Sequence, residues 1–343
     1  MSLPSAVPSP RTPDAMAAPP LRWGVIGPGW IAERFIGSLQ QHTRQRVIAI
    51  GSRDLGRSTA FAGKHGIERA YGSYQELVAD PDVDVVYIAT PHNAHFPCAR
   101  LSLLSGKHTL VEKPIALNAA QAAELTTLAA AQGVFFMEAL WTMFLPKFDV
   151  IRQLLSSGAL GEIRTVIADN GEYFTDNHRI MRHDLAGGPL LDLGTYPISF
   201  AVWVLGEPTL VQAAGQPHPS GVYGQASAIL TDSAGNQAVI NTTLFSTTPT
   251  TGVIAGTAAT LTIPGPYYQP GDMTLSFATG EVLTYTEPRV AHDALYFEAA
   301  EVARCIGSGR LESPLRPLAD SVATMRVVDE FRRQLGIVFD EER

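Results

Sequence analysis

The stretch "VIGPGWIA", residues 25–32, decides the fold of the N-terminal half of the chain. It has the spacing Gly-x-Gly-x-x-Ala, directly after a short apolar run and at the start of a segment with helical periodicity. In such a unit the first glycine makes a tight turn and the second lets the backbone approach a pyrophosphate, while the alanine permits close helix–strand packing. The helix N-terminus supplies free N–H groups for the phosphates. The sequence therefore predicts a cofactor-binding loop formed by Gly27, Gly29, Trp30, Ile31 and Ala32.

The sequence around this loop alternates between apolar runs and helical segments as far as residue 140. Runs such as "RVIAIGS" (46–52) and "VDVVYIAT" (83–90) alternate with helical segments such as "NAAQAAELTTLAAAQG" (118–133). Strands that are apolar on both faces and alternate with helices are typical of a parallel sheet covered on both sides. Residues 21–140 therefore predict a doubly wound, Rossmann-type dinucleotide-binding domain.

The second half of the chain has a different pattern. Residues 208–288 contain runs rich in Val, Thr, Ile and Leu, interrupted by Gly, Pro and Asn, which favour a mostly antiparallel sheet. Helical periodicity is present at 146–158, 187–206, 292–307 and 318–335. The predicted fold class is α/β, with an α+β domain at 141–343 after the Rossmann domain. The first 20 residues hold six of the 24 prolines and predict a disordered tail.

Composition limits the classes of function. The net charge of −8, without a basic run, disfavours nucleic-acid binding, and no apolar run approaches the roughly 20 residues of a membrane helix. The two cysteines are far apart and form no metal-binding cluster with histidines, so we expect no metal site. This usage fits a reducing, cytoplasmic setting. A small molecule is the expected partner.

The end of the second predicted strand indicates which cofactor is bound. An NAD-binding domain usually has an acid about 20 residues after the glycine loop, where it accepts a hydrogen bond from the ribose. Here the position reads Ser52-Arg53, and Arg57 follows four residues later. A hydroxyl and guanidinium groups would bind a 2′-phosphate, whereas a carboxylate would repel it. The pattern favours NADP over NAD. The alternative is that Asp54 acts as the acid and Arg53 is a solvated charge.

Ligands of such sheets lie beyond the carboxyl ends of the strands. The candidate residues there are Thr90, Pro91, His92 and His95 after one strand, and Glu112 and Lys113 after the next. Lys113 stands out, because strand ends rarely need a lysine for structure. It could hold a substrate hydroxyl, or its charge could favour the ionised form of a neighbouring phenol. The alternative is a surface lysine that extends into solvent.

The apolar segment "GGPLLDLGTYPISFAVWVLG", residues 187–206, carries one polar stripe. Asp192, Thr195, Tyr196 and Ser199 are spaced i, i+3, i+4, i+7, which is one face of a helix. The stripe either forms hydrogen bonds within the core or faces a reaction site. Pro197 removes a helical hydrogen bond, so the helix is kinked or restarts there. We expect a kinked helix.

Four motifs together resemble the glucose–fructose oxidoreductase, inositol dehydrogenase and MocA-type (GFO/IDH/MocA) family. They are "GPGWIA", "ATPHNAH", "EKP" and "GGPLLDLGTYP". The resemblance implies a Rossmann domain, then an α/β domain whose sheet often forms a dimer interface, so a homodimer or homotetramer is expected. It also implies catalysis by Lys113, Asp192 and Tyr196. "GSRD" and "MEALWTMFLP" are most similar to the branch of NADP-linked D-xylose dehydrogenases and dimeric dihydrodiol dehydrogenases.

The expected reaction transfers a hydride between a nicotinamide cofactor and a hydroxyl-bearing carbon of a sugar or related polyol. Tyr196 would take the hydroxyl proton with the help of the Lys113 charge, and Asp192 would accept from a substrate hydroxyl or orient Lys113. His95 would contact the nicotinamide side. The expected substrate-binding residues are Trp141 and Phe144, with Asn170 and Tyr173 as weaker candidates.

Other functions stay open at this level. His178 and His183 lie near the weaker substrate candidates and are expected to be surface residues. A trans-dihydrodiol dehydrogenase would use the same constellation. A non-catalytic dinucleotide-binding regulator, or an enzyme whose tightly held cofactor cycles between two sugars, is a further alternative.

Overall fold

The computed structural model describes residues 6–175 and 178–342 and divides the chain into two compact units. The parallel-sheet unit contains Pro13–Phe144 and His292–Val322. The mixed-sheet unit contains Leu145–Ala291, Ala323–Arg343 and Met1–Thr12, as far as these ranges are described. The domain boundary that the sequence predicts at residue 140 places residues 292–322 in the second domain. The structure places them in the parallel-sheet unit. Helical periodicity shows that a segment packs on one face, but it does not show which unit it packs against.

The parallel-sheet unit is built on six parallel strands in the order β3-β2-β1-β4-β5-β6. The strands are β1 (Arg22–Ile26), β2 (Arg46–Gly51), β3 (Arg69–Tyr71), β4 (Val85–Ile88), β5 (His108–Glu112) and β6 (Phe136–Ala139). The central strands are almost wholly buried, as their continuous apolar sequence predicts. The strand order reverses direction between β1 and β4, which is the position where dinucleotides bind in such sheets.

The α-helices of the described residues match the helical segments predicted at 118–133, 146–158, 292–307 and 318–335, whereas the segment 187–206 forms two helices. The helices are α1 (Trp30–His42), α2 (Leu55–His65), α3 (Tyr74–Ala79), α4 (His95–Leu104), α5 (Ala119–Gln132), α6 (Pro146–Ser156), α7 (Pro189–Asp192), α8 (Thr195–Leu205), α9 (Tyr296–Gly307) and α10 (Leu318–Leu335). Ser73 and Glu76 form a capping box at the start of α3, and Asn118 caps α5. In the described residues, no helix is long and apolar enough to cross a membrane.

The mixed-sheet unit contains an eight-stranded sheet in the order β14-β13-β12-β11-β7-β10-β9-β8. Its strands are β7 (Ile163–Gly171), β8 (Leu210–Pro217), β9 (Tyr223–Thr231), β10 (Gln237–Thr243), β11 (Gly252–Gly256), β12 (Ala259–Ile263), β13 (Met273–Phe277) and β14 (Val282–Tyr285). Only β7 and β10 pair in parallel. Alternating burial places one face of β9 and β10 against α7 and α8. The predicted fold class, a Rossmann domain and a second domain with a large mostly antiparallel sheet, is confirmed.

The N-terminal segment differs from the expected tail. Residues 1–5 lie outside the described residues, but the chain from residue 13 onward packs on the parallel-sheet unit. Ala15–Ala17 forms a 3-10 helix, and Ala15 and Ala18 are buried against Ala300 and Ala303 of α9. The side chain of Gln45 also donates to the Pro19 carbonyl at 2.7 Å. Small alanine side chains on both segments allow this close packing, which a proline-rich composition does not reveal.

Candidate active site

The glycine loop connects β1 to α1. Gly27 has φ +99°, and a Cβ atom at this position would lie 2.7 Å from the carbonyl oxygen of Ala89, so only glycine fits. A Cβ at Gly29, the N-cap of α1, would come no closer than 3.8 Å to its nearest described neighbour. Ala32 is fully buried. The first turn of α1 is therefore open to a phosphate group and fits one.

Trp30 and Ile31, in the first turn of α1, differ in exposure. Trp30 is 58% exposed, and the Arg34 guanidinium lies 5.7 Å from its ring centroid. Ile31 is half-buried. A large exposed indole directly beside a phosphate-binding turn is available to a bound molecule.

The end of β2 carries a buried hydroxyl and two exposed guanidinium groups. Ser52 donates its hydroxyl proton to the Asp54 carbonyl at 2.6 Å and accepts from the Asp54 N–H at 3.1 Å. The Asp54 carboxylate caps α2 by accepting from the Arg57 N–H at 3.2 Å. Arg53 and Arg57 are exposed. Burial raises the pKa of the nearby Tyr74 phenol, and the positive charges of the two arginines oppose this rise.

His95 connects the loops that follow β4 and β5. Its Nδ1 lies 2.7 Å from the Pro114 carbonyl oxygen, and its Nε2 lies 2.9 Å from the Thr90 carbonyl oxygen. His92 is also buried, with its ring centroid 5.6 Å from that of His95, whereas Pro91 is exposed. The His95 imidazole therefore lies between backbone carbonyls of the two loops that follow β4 and β5, and it links these loops.

Glu112 and Lys113 follow at the end of β5. The Glu112 carboxylate is buried, and it accepts from the Tyr87 hydroxyl and from the Lys113 N–H, the latter at 3.2 Å. The fully buried Glu298 carboxylate of α9 has no hydrogen-bond partner within the described residues. Burial and the charge of Glu112 raise the pKa of Glu298 well above its usual value. Lys113 itself is half-buried.

The expected substrate aromatics follow β6. Trp141 and Phe144 lie in a 3-10 helix, Trp141–Phe144, and both side chains are buried. The Trp141 ring stacks on His292, with centroids 5.5 Å apart and an interplanar angle of 20°. His292 is absent from the site residues that the sequence predicts, because no motif distinguishes it.

The predicted kinked helix is instead two helical segments, α7 and α8. Leu193 and Gly194 between them keep right-handed helical dihedrals. The Leu193 N–H keeps the regular bond to the Pro189 carbonyl at 2.9 Å, but the Gly194 N–H bonds the same carbonyl at 2.7 Å, one residue beyond the regular spacing. Pro197 has no N–H to donate to the Leu193 carbonyl, which instead accepts from the Tyr196 N–H at 3.3 Å and the Asn170 Nδ2 at 3.1 Å. The prediction of one bent helix is wrong, because a proline in the first turn of α8 is well tolerated there.

The four residues of the polar stripe have different surroundings. The Thr195 hydroxyl donates to the Leu191 carbonyl at 2.6 Å, and the Ser199 hydroxyl lies 3.5 Å from that of Thr324, so both are satisfied within the core. Asp192 instead forms an ion pair with Arg179, Oδ2 to Nη2 at 3.0 Å. The expectation that the whole stripe faces a substrate therefore does not hold for Thr195 and Ser199.

Tyr196 lies against a second tyrosine, Tyr268, which no sequence motif predicts. Its ring stacks on Tyr268, with centroids 4.2 Å apart and an interplanar angle of 18°. Burial and the charges of Glu172 and Asp192 raise the pKa of Tyr268, and burial and Asp192 raise the pKa of Glu172. Arg179, Glu172 and Tyr268 thus surround the predicted pair. The only signal for Tyr268 is the adjacent tyrosines in "GPYYQP" (265–270).

The weaker candidates occupy different environments. Asn170 is buried beneath the α7–α8 break, whereas Tyr173 is 64% exposed. His178 accepts from the Ile180 N–H at 3.3 Å, and His183 lies 3.3 Å from Asp340. Asp192, Tyr196, Asn170 and Tyr173 belong to the mixed-sheet unit, and the cofactor-loop residues and Lys113 belong to the parallel-sheet unit.

Comparisons with known proteins show the family of this chain. Residues 21–140 match the GFO/IDH/MocA oxidoreductase family with an NAD-binding Rossmann fold, and residues 148–262 match the GFO/IDH/MocA C-terminal domain. The trans-1,2-dihydrobenzene-1,2-diol dehydrogenase of Bos taurus is 35% identical over 94% of this chain and 99% of its own length. The Xenopus tropicalis enzyme of that name is 36% identical over 93% and 99%.

A solved structure of a related protein has a similar fold. KijD10, a 3-ketoreductase from Actinomadura kijaniata in complex with NADP and TDP-benzene, is 27% identical. It superposes with a TM-score of 0.80 and covers 92% of this chain and 98% of its own. The resemblance noted from the four sequence motifs is confirmed. The chain therefore belongs to the GFO/IDH/MocA family of oxidoreductases.

Proposed function

We propose that this chain is an NADP-linked dehydrogenase that oxidises a secondary alcohol of a cyclic diol or sugar. The observation that carries the proposal is the shared sheet edge of the glycine loop and Lys113. Both follow the carboxyl ends of parallel strands, β1 and β5, with only β4 between them. A dinucleotide bound at this edge brings its nicotinamide to the side of β4 and β5. A basic side chain at that position suits a reacting hydroxyl.

Each of the chain's own site residues has a separate proposed role in binding the substrate or moving its proton. The nicotinamide, when bound, accepts the hydride. We assign Tyr196 as the residue that takes the proton of the substrate hydroxyl, and Lys113 as a hydrogen-bond donor to a reacting oxygen. Asp192, held by Arg179, accepts a hydrogen bond from a neighbouring substrate hydroxyl. His95 fixes the loop that carries Lys113.

The preference for NADP rests on the end of β2. The Asp54 carboxylate is engaged as the cap of α2, and the Ser52 hydroxyl proton is directed to a backbone carbonyl. Arg53 and Arg57 remain as exposed donors for a 2′-phosphate. The 3-ketoreductase with the similar fold is also in complex with NADP.

Two substrate classes remain in contention. Trans-dihydrodiols are favoured by the relatives of that name, which match over nearly the whole chain. Sugars are the second candidate, because Trp141, Phe144 and Tyr268 offer aromatic rings for the C–H face of a pyranose. A non-catalytic regulator is disfavoured, since both Lys113 and Tyr196 are present.

We also propose a homodimer that assembles through the eight-stranded sheet. Val253, Ile167, Val239 and Ile229 are register partners on β11, β7, β10 and β9, and form one apolar row across the sheet. Ile167 and Val239 are each 43% exposed and Ile229 is 39% exposed. Such a row suits burial against a second copy.

Cys98 and Cys305 are free thiols, which fits the proposed cytoplasmic location.

The test is a panel of aldoses, polyols and trans-dihydrodiols with NADP⁺ or NAD⁺, followed at the absorbance of the reduced nicotinamide. We expect turnover with NADP⁺ that falls at least a thousandfold in both Lys113→Met and Tyr196→Phe. Binding of NADPH, measured by fluorescence, should survive in Tyr196→Phe. If both variants turn over like the wild type, the proposed roles are wrong. If the purified protein already carries NADPH, the enzyme cycles a tightly held cofactor between two substrates.

A further inference from the structure

His292 lies between two tryptophans that come from distant parts of the sequence. Its ring centroid is 4.9 Å from that of Trp30, at an interplanar angle of 80°, and 5.5 Å from that of Trp141, at 20°. Trp30 is the first residue of α1, directly after the glycine loop, and Trp141 follows β6. All three residues belong to the parallel-sheet unit. We call them the aromatic wall.

The charges around His292 suit an anionic ligand. Burial lowers the pKa of His292, and the positive charges of Arg34 and Lys113 lower it further, while Asp293 opposes them. Arg34 and Lys113 are therefore near enough to act on the imidazole. A neutral imidazole at neutral pH can stack on an aromatic surface, and the two cations beside it attract phosphate oxygens.

The position of the aromatic wall in the sheet selects one half of a dinucleotide. In a sheet of this strand order, the adenosine half of a dinucleotide would lie over β1, β2 and β3, and the nicotinamide half would lie over β4, β5 and β6. Arg53 and Arg57 are on the adenosine side. Lys113 and Trp141 follow β5 and β6. His292 interacts with both, so it belongs to the nicotinamide half.

We propose that His292 is a cofactor-positioning residue, and that it and the two tryptophans form a wall against the nicotinamide riboside. This inference rests on the proposed function only in requiring that the chain binds a nicotinamide dinucleotide. Trp30 is 58% exposed, so much of its indole is accessible to a bound cofactor. His292 holds the Trp30 edge and the Trp141 face in place for the ligand.

The experiment compares two probes in equilibrium binding, monitored by tryptophan fluorescence. NADPH reports on the whole cofactor, and 2′,5′-ADP reports on the adenosine half alone. In His292→Ala, we expect the Kd for NADPH to rise about tenfold and the Kd for 2′,5′-ADP to stay within about twofold of the wild type. His292→Phe keeps an aromatic ring and should restore most of the NADPH affinity. His218→Ala, in the mixed-sheet unit, is the matched histidine control.

The outcomes separate this inference from the proposed function. Unchanged NADPH binding in His292→Ala would overturn the inference and leave the proposed function intact. Equal losses for NADPH and 2′,5′-ADP would also overturn it, because the effect would then not be confined to the nicotinamide half. If the wild type binds 2′,5′-ADP but gains no affinity from the nicotinamide riboside of NADPH, the proposed function fails first.

Discussion

The side-chain amide of Asn170 donates to the carbonyl oxygen of Leu193 at 3.1 Å. This carbonyl is the one that Pro197 cannot serve, since the regular helical donor to Leu193 would be the N–H of residue 197. Asn170 is buried on β7, so it satisfies an acceptor that the helix break leaves in the core. The pair therefore supports the backbone between Asp192 and Tyr196.

A double-mutant cycle tests this link. Asn170→Ala should destabilise the protein by about 1–3 kcal/mol, because it leaves the buried Leu193 carbonyl without its side-chain donor. In a Pro197→Ala background the new N–H can bond Leu193, so the same substitution should cost roughly 1 kcal/mol less. Urea unfolding of the four proteins measures both values. Equal costs in the two backgrounds would mean that Asn170 acts independently of the proline.

The ion pair between Arg179 and Asp192 yields a kinetic prediction. Arg179→Met removes the cation beside a carboxylate that also lies near Glu172, so Asp192 should no longer be held toward a substrate hydroxyl. We expect kcat/KM to fall about tenfold or more. Arg182→Met is the control, because Arg182 pairs with the exposed Asp184 instead of Asp192. A similar loss in both variants would show that the effect is not specific to Asp192.

The sequence predicts the parallel-sheet half of the site better than the mixed-sheet half, for a physical reason. The glycine loop, Arg53 and Lys113 lie within a few residues of strand ends, so strand–helix alternation alone assigns them to one edge. Tyr268 and His292 reach their partners through long-range packing, which has no local periodicity. Helical spacing also grouped Thr195 with Asp192, although the Thr195 hydroxyl turns back to its own helix.

The two exposed arginines after β2 should determine cofactor choice. Arg53→Ala combined with Arg57→Ala removes both candidate donors to a 2′-phosphate, each worth about 1.5–3 kcal/mol as a charge-assisted hydrogen bond. We expect KM for NADP⁺ to rise at least a hundredfold and KM for NAD⁺ to change little. Steady-state kinetics with both cofactors measure this. If KM rises for both cofactors, the arginines maintain the structure of the loop after β2 and do not bind the 2′-phosphate.

The apolar row of the eight-stranded sheet makes a prediction about assembly. Val239→Lys places a charge at the centre of the row, between Ile167 and Ile229. A buried charge without a partner disfavours an interface, so the variant should be monomeric in sedimentation analysis at concentrations where the wild type is dimeric. Leu104→Lys, at a residue of the parallel-sheet unit that is 48% exposed, should leave the mass unchanged. A dimeric Val239→Lys protein would exclude this sheet face as the interface.

Lys147 should make the free energy of unfolding depend on pH. It lies close in the chain's packing to Tyr268, which stacks on Tyr196. Its buried ammonium donates to the carbonyl of Gln269, the residue after Tyr268, and burial lowers the Lys147 pKa to about 8. The unfolded lysine has its usual pKa of 10.5, so between about pH 8 and 10.5 the unfolded chain binds the additional proton. The free energy of unfolding should therefore rise with pH across this window, by up to roughly 3 kcal/mol.

Unfolding in urea at several pH values checks this slope. Lys147→Met should remove the rise between pH 8 and 10.5, because methionine fills the same space and has no proton to release. Lys64→Met, at an exposed lysine that pairs with Glu33, should keep the wild-type slope. The difference between wild type and Lys147→Met isolates this one group from tyrosines and thiols that titrate in the same range. A constant difference over the window would mean that Lys147 keeps its ordinary pKa in the folded protein.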